Sequence, residues 1–265
     1  MSDEAVLVEV DDGVATLTLN RPENRNAMSR DMSRAIIEAI DSVEQHPEAR
    51  CLVITGQEGT FCAGGDINAM LARFEEDTPL AEAVRSIQLV TSRAIQRLYE
   101  FHLPTVAKVD GVAFGAGANL AIAADCTVAS TDAKISFGFR QVGLGVDTGT
   151  SYLLPRLVGE NTAKELVLTG ELLDAERAED IGLFNHAYDA SEFEERAGEF
   201  IETIAEGPTI GLENSVRLIR DGMDTTLKAA IDNEAAAQAA VLASEDHAEG
   251  AEAFMERRDP EFEGK

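Results

Sequence analysis

The chain has no tryptophan, three cysteines, four histidines, seven prolines and only five lysines among 265 residues. Each scarcity excludes something. Cys51, Cys62 and Cys126 are odd in number and show no Cys-x-x-Cys spacing, so neither a disulfide framework nor a zinc site is expected, and they read as small buried apolar residues. No run of about eighteen apolar residues occurs, which excludes a membrane-spanning helix. The opening MSDEAVLVEVDDG is acidic and lacks the layout of a signal peptide, so a cytoplasmic protein is expected. Basic residues are outnumbered, and the formal net charge of -27 sets the surface against nucleic acid and anionic membrane. The scarcity of lysine points to a cytoplasm rich in salt, where self-repulsion is screened within about 3 Å at molar ionic strength. An ordinary acidic protein is the plainer alternative.

What is present is apolar pattern enough for one large domain or for a core plus a small appendage, with 45% hydrophobic residues and no repeat or low-complexity linker. Two strands, residues 5–10 and 14–20, flank Asp11-Asp12-Gly13, and VATLTL alternates with period two. Ser29 is placed to cap a helix reaching about His46, with Met32, Ile36, Ala39, Ile40 and Val43 at helical spacing. A strand at 51–55 and a helix at 67–73 follow, then a break at 77–80 and a long helix at 81–101. Strands are expected at 105–109, 126–129 and 134–136, and a helix at 119–124. Another helix should start near Thr148 and kink or end at Pro155. Beyond Asn161 the pattern is mainly helical, with one strand-like stretch at 183–188.

Two glycine-rich turns organise this α/β pattern. Residues 111–118 (GVAFGAGA) and 59–66 (GTFCAGGD) each follow a strand and precede a helix. Such turns leave backbone N–H groups unpaired at the positive end of a helix dipole, a setting for developing negative charge. Two of them aimed at one oxygen atom would make an oxyanion hole. The plainer reading is close packing, or a phosphate cradle. No lysine follows the glycines as a Walker loop needs, and GVAFGAGAN lacks the spacing of a dinucleotide fingerprint.

FCAGGDI followed by DGVAFGAGANLAIAADC, with NRPENRNAM upstream and VGLGVDTGTSYLLPRLVG downstream, resembles the crotonase family of enoyl-CoA hydratases and isomerases across nearly the whole chain. The resemblance implies a crotonase-like β/β/α spiral core, divided here at residues 1–195, and a C-terminal helical segment, 196–265, that joins subunits into a homotrimer or a pair of trimers. It implies an acyl-CoA thioester substrate, coenzyme A being part of that substrate, with no further cofactor and no metal. The amides of Gly65 and Ala116 match those that hold the thioester oxygen, and Asn24, Arg25, Ala27, Ala63, Asp66 and Ile67 match coenzyme A contacts. A solvated Arg25 and an Asp66 that caps the helix from Ile67 are the plainer readings.

Family hydratases use two glutamates, whose positions here are Asn119 and Phe139, the latter beside the acyl group. An amide and a phenyl ring cannot perform general acid–base chemistry. Asp147, in VGLGVDTG, stands where the resemblance puts the working acid of members that shift double bonds, and burial beside an apolar pocket would push its pKa up while a helix start opposes that. Its plainer reading is an N-cap for the helix from Thr148. The expectation is an enoyl-CoA isomerase with Asp147 as its single base and Asn119 as a positioning group or spectator. A hydratase using a water held by Asn119, and a non-catalytic acyl-CoA-binding member, remain open. Dehalogenation, in which the family also uses a tryptophan and a histidine, is disfavoured: there is no tryptophan, and His46, His102, His186 and His247 read as surface or packing residues.

Overall fold

The computed structural model describes residues 4–75 and 79–265. Strands β1 (Val6–Asp11) and β2 (Val14–Leu19) form an antiparallel hairpin, and β2 alternates buried with partly exposed residues as VATLTL dictates. Then α1 (Arg30–Glu44) begins where Ser29 accepts a hydrogen bond from the Met32 N–H, and its stripe of Met32, Ile36, Ala39, Ile40 and Val43 is buried. The chain returns as β3 (Cys51–Gly56), parallel to β2. Helix α2 (Ile67–Glu75) comes next. Helices α3 (Leu80–Ser86) and α4 (Ser92–Tyr99) are joined through a π-helical turn at Ile87–Thr91, so the long helix expected at 81–101 is interrupted and ends earlier. The break expected at 77–80 lies partly outside the described residues.

The central sheet is completed by β4 (Thr105–Val109), β6 (Cys126–Ser130) and β9 (His186–Tyr188), in the order β1-β2-β3-β4-β6-β9, parallel beyond the first hairpin. A three-stranded sheet, β5-β7-β8, contains β5 (Val112–Phe114), β7 (Lys134–Ser136) and β8 (Leu173–Asp174). Between β5 and β6 runs α5 (Ala116–Ile122), all of it buried. Strands β3 and β4 are largely buried on both faces, as interior parallel strands are. Phe61, Phe101, Phe137 and Phe184 are fully buried in the main core, each side chain contributing on the order of 1.5–3 kcal/mol.

Helix α6 (Thr150–Thr169) begins close to the expected Thr148 and corrects the expectation for Pro155. It starts at Thr150, behind an N-cap at Gly149 whose φ is 98°, and it runs through Pro155. Its break falls at Gly159, at φ 77° and ψ 161°, outside the helical region and open to glycine. After α7 (Ala175–Asp180), the last strand is shorter than the stretch expected at 183–188. Residue 195 lies in the first turn of α8 (Phe193–Ala205), whose Phe193, Ala197, Ile201 and Ala205 form a second core with Cys51, Val53, Val106 and Val128. The chain leaves the sheet after that helix, into α9 (Thr209–Gly222), α10 (Leu227–Val241) and α11 (Glu245–Glu256).

Candidate active site

The two glycine-rich turns pack directly on each other. Cys62 donates its N–H to Val112 O at 2.9 Å and accepts from the Phe114 N–H at 2.9 Å, which pins the first turn to β5. A side chain at either contact would separate them. A methyl group at Gly64, whose φ is 95°, would lie 2.6 Å from Phe114 O, and one at Gly117 would lie 2.2 Å from Cys62 O. The same close approach leaves Gly64 beside the start of α5, with that methyl position 3.8 Å from the Ala116 nitrogen.

Helix α5 starts at Ala116, three residues before the expected start, because the small residues that read as loop are its first turn. Ala116 therefore carries the first N–H of a buried helix, which has no acceptor within the helix. Among the described residues, neither the Ala116 nor the Gly65 amide is seen to donate to a backbone acceptor in a turn, loop or cap. The Phe139 ring reaches to within 3.9 Å of a methyl position on Gly115 and is buried, so an apolar wall stands beside this turn.

Asp147 is tied to the same helix through Asn119. Asn119 stands one turn along α5 from Ala116, about 4.5 Å further along the axis. It is fully buried and holds the loop before α6. Its Nδ2 donates to Asp147 O at 3.0 Å and to Thr148 Oγ1 at 2.6 Å, and its Oδ1 accepts from Thr150 Oγ1 at 2.9 Å. Thr148 has φ 47°, a left-handed conformation that costs a β-branched residue on the order of 1–3 kcal/mol and persists only where surroundings enforce it.

The Asp147 carboxyl is half-buried, and it caps no helix. Burial raises its pKa above the ordinary 3.8, and the Thr148 hydroxyl, 3.2 Å from Oδ1, opposes that rise. The expected opposition from a helix start is thus supplied by a side chain. Among the described residues no cation pairs with this carboxylate.

Asn24 and Arg25 are exposed and Ala27 is half-buried, on a segment that runs along the first turn. The Ala63 N–H donates to Arg25 O at 3.0 Å and the Met28 N–H to Gly64 O at 2.7 Å. Asp66 Oδ1 accepts from the Ala69 N–H at 3.1 Å, as a helix cap does, and Ile67 is exposed beside it. Asn26 is a residue the motif reading passed over: fully buried, it donates to Thr60 O at 2.7 Å and accepts from the Arg21 N–H at 2.8 Å. The positive φ angles of Arg25 and Asn26, 50° and 52°, fit a turn that asparagine tolerates well. All four histidines are exposed. Burial pushes the Cys62 thiol up to about 12, so it is no nucleophile at neutral pH. Among the described residues no cluster of potential metal ligands and no helix fit to cross a membrane occurs.

Residues 9–265 match the family profile described as enoyl-CoA hydratase/isomerase. The chain is 35% identical to a 1,2-epoxyphenylacetyl-CoA isomerase of Escherichia coli over 99% of each protein. It is 31% identical to a crotonyl-CoA hydratase of Syntrophomonas wolfei over the whole of each. The solved structure of an enoyl-CoA hydratase/isomerase from Cupriavidus metallidurans superimposes with a TM-score of 0.91 at 30% identity, covering 100% of this chain and 98% of that one.

Proposed function

The chain belongs to the enoyl-CoA hydratase/isomerase, or crotonase, family, and from that premise we propose that it moves a double bond of an acyl-CoA thioester from the β,γ to the α,β position with Asp147 as its one base. The thioester oxygen lies between the Gly65 and Ala116 amides. Asp147 takes a proton from the α-carbon, the electron pair moves into the thioester as a dienolate held by those two donors, and the same carboxyl returns the proton to the γ-carbon. The bonds balance without water or a redox partner, and one carboxylate on one face serves both transfers.

The observation that carries this reading is the half-buried Asp147, paired with no cation among the described residues, on a loop hung from α5 one turn beyond Ala116. Positions 119 and 139 hold an amide and a ring, and both Nδ2 hydrogens of Asn119 already serve Asp147 O and Thr148 Oγ1. A water held by Asn119, which the hydratase reading requires, would therefore have only the second lone pair of Oδ1 to bind, the first being taken by the Thr150 hydroxyl. Asn24, Arg25, Ala27, Ala63, Asp66 and Ile67 form the edge we assign to coenzyme A, with Phe139 on the acyl side. We further assign the exposed apolar residues of the last helices, Ile219, Leu227, Phe254 and Met255, to contacts between subunits of a trimer or a pair of trimers.

Turnover of 3-enoyl-CoA without incorporation of solvent oxygen, and negligible hydration of 2-enoyl-CoA, is the expected assay result. Efficient hydration of 2-enoyl-CoA would instead establish the hydratase. Turnover of neither, with acyl-CoA still bound, would favour a binding protein.

A further inference from the structure

We propose that Thr148 is a positioning residue for Asp147, its hydroxyl aimed by Asn119 so that it donates to Asp147 Oδ1 and leaves Oδ2 to exchange the proton with substrate. This rests on the reading of Asp147 as the base. The hydrogen positions follow from the bonding partners. Were the Asn119 amide turned over, its oxygen would face the Asp147 carbonyl at about the 3.0 Å that now separates donor from acceptor, placing two acceptors against each other. Nδ2 must therefore point toward Asp147 O and Thr148 Oγ1, and Thr150 supplies the hydrogen to Asn119 Oδ1 at 2.9 Å. Thr148 Oγ1 is then already an acceptor at 2.6 Å, and its own hydrogen is available for Asp147 Oδ1 at 3.2 Å.

The backbone gives an independent observation. At φ 47° a glycine or asparagine would sit with less strain than a β-branched residue. The threonine adds the hydroxyl that reaches the carboxylate. Asn119 of α5 and Thr150 of α6, both neutral, bond the Asp147 backbone carbonyl, Thr148 Oγ1 is the group bonded to its carboxyl, and among the described residues no charged side chain shifts it. Thr148 is thus the local brake on the rise that burial causes.

In the full chain, Thr148→Val should move the acidic limb of the kcat/KM profile to higher pH. It should also lower kcat by about tenfold or more, with KM changing by less than about twofold. Thr148→Ser should restore both, and Thr148→Gly, which relaxes the backbone, should resemble Thr148→Val in both readouts. A carbon-13 carboxyl NMR titration of Asp147 in the unliganded protein reads the same upward move without turnover. Unchanged titration and pH profile in Thr148→Val and Thr148→Gly would overturn the proposal even with Asp147→Asn inactive. An active Asp147→Asn would sink the reading of Asp147 as base, while the titration would still judge whether Thr148 steers that carboxyl.

Discussion

Two aspartates flank α5, and their surroundings are opposite. Asp125, just beyond its C-terminal end, accepts the Thr105 N–H and hydroxyl, both at 2.8 Å, and the Arg220 guanidinium at 2.5 Å. Its partners include a cation from α9. Asp147, beside the N-terminal end, is secured through its backbone carbonyl by Asn119 Nδ2 and the Thr150 N–H, while its carboxyl receives the Thr148 hydroxyl. A carboxylate that ties elements together is saturated by charge and hydrogen bonds. The carboxylate proposed as the base is held by its main chain and left without a cation among the described residues.

The largest effect that separates them is on turnover. Asp147→Asn should reduce isomerisation by about 10²–10⁴-fold with acyl-CoA binding retained, measured by steady-state assay and calorimetric titration. Asp125→Asn should leave the rate per folded molecule within about twofold. It should instead cost about 2–4 kcal/mol in denaturant unfolding, since Arg220 would keep a part-buried charge with its main partner weakened. A reversal of these two outcomes would break the comparison.

Salt sharpens it. The -27 formal charge should make the melting temperature rise from dilute buffer to molar salt. The gap between parent and Asp125→Asn should change less than the melting temperatures themselves, because a part-buried pair is screened less than the surface. Full stability of the parent in dilute buffer would count against the salt-rich setting expected from the scarcity of lysine.

The smallest expected effect concerns pH. A raised carboxyl pKa means that the folded state binds more protons than the unfolded one between the two values. Asp147 therefore contributes stability below the ordinary carboxylate range that is lost as pH rises through its folded value. Asp147→Asn should be slightly more stable than the parent at neutral pH, and that gain should shrink as pH falls through the window. A gain that grows on acidification would contradict the burial of this carboxyl.

The hairpin and the strands at 51, 105, 126 and 134 were legible because alternation and doubly apolar runs report burial directly. Ser29 was legible as a cap for the same local reason. The start of α5 was not, since glycine and alanine read as loop until Gly117 is seen against Cys62 O. Asp147 was found by its motif, but its bonds to Asn119 span positions that only the fold brings together. Asn26 lay within a quoted motif, yet its bond to Thr60 O could not be inferred from the motif itself. Pro155 misled because the break follows the backbone angles of Gly159 instead.

Hydrogen exchange at the α-carbon is the most direct test of the central claim. Incubated in deuterium oxide with a saturated acyl-CoA that can enolise but not isomerise, the parent protein should wash deuterium into the α-position, read by mass spectrometry, and Asp147→Asn should not. Equal exchange by both proteins would contradict Asp147 as the base that the paired Gly65 and Ala116 turns are proposed to serve.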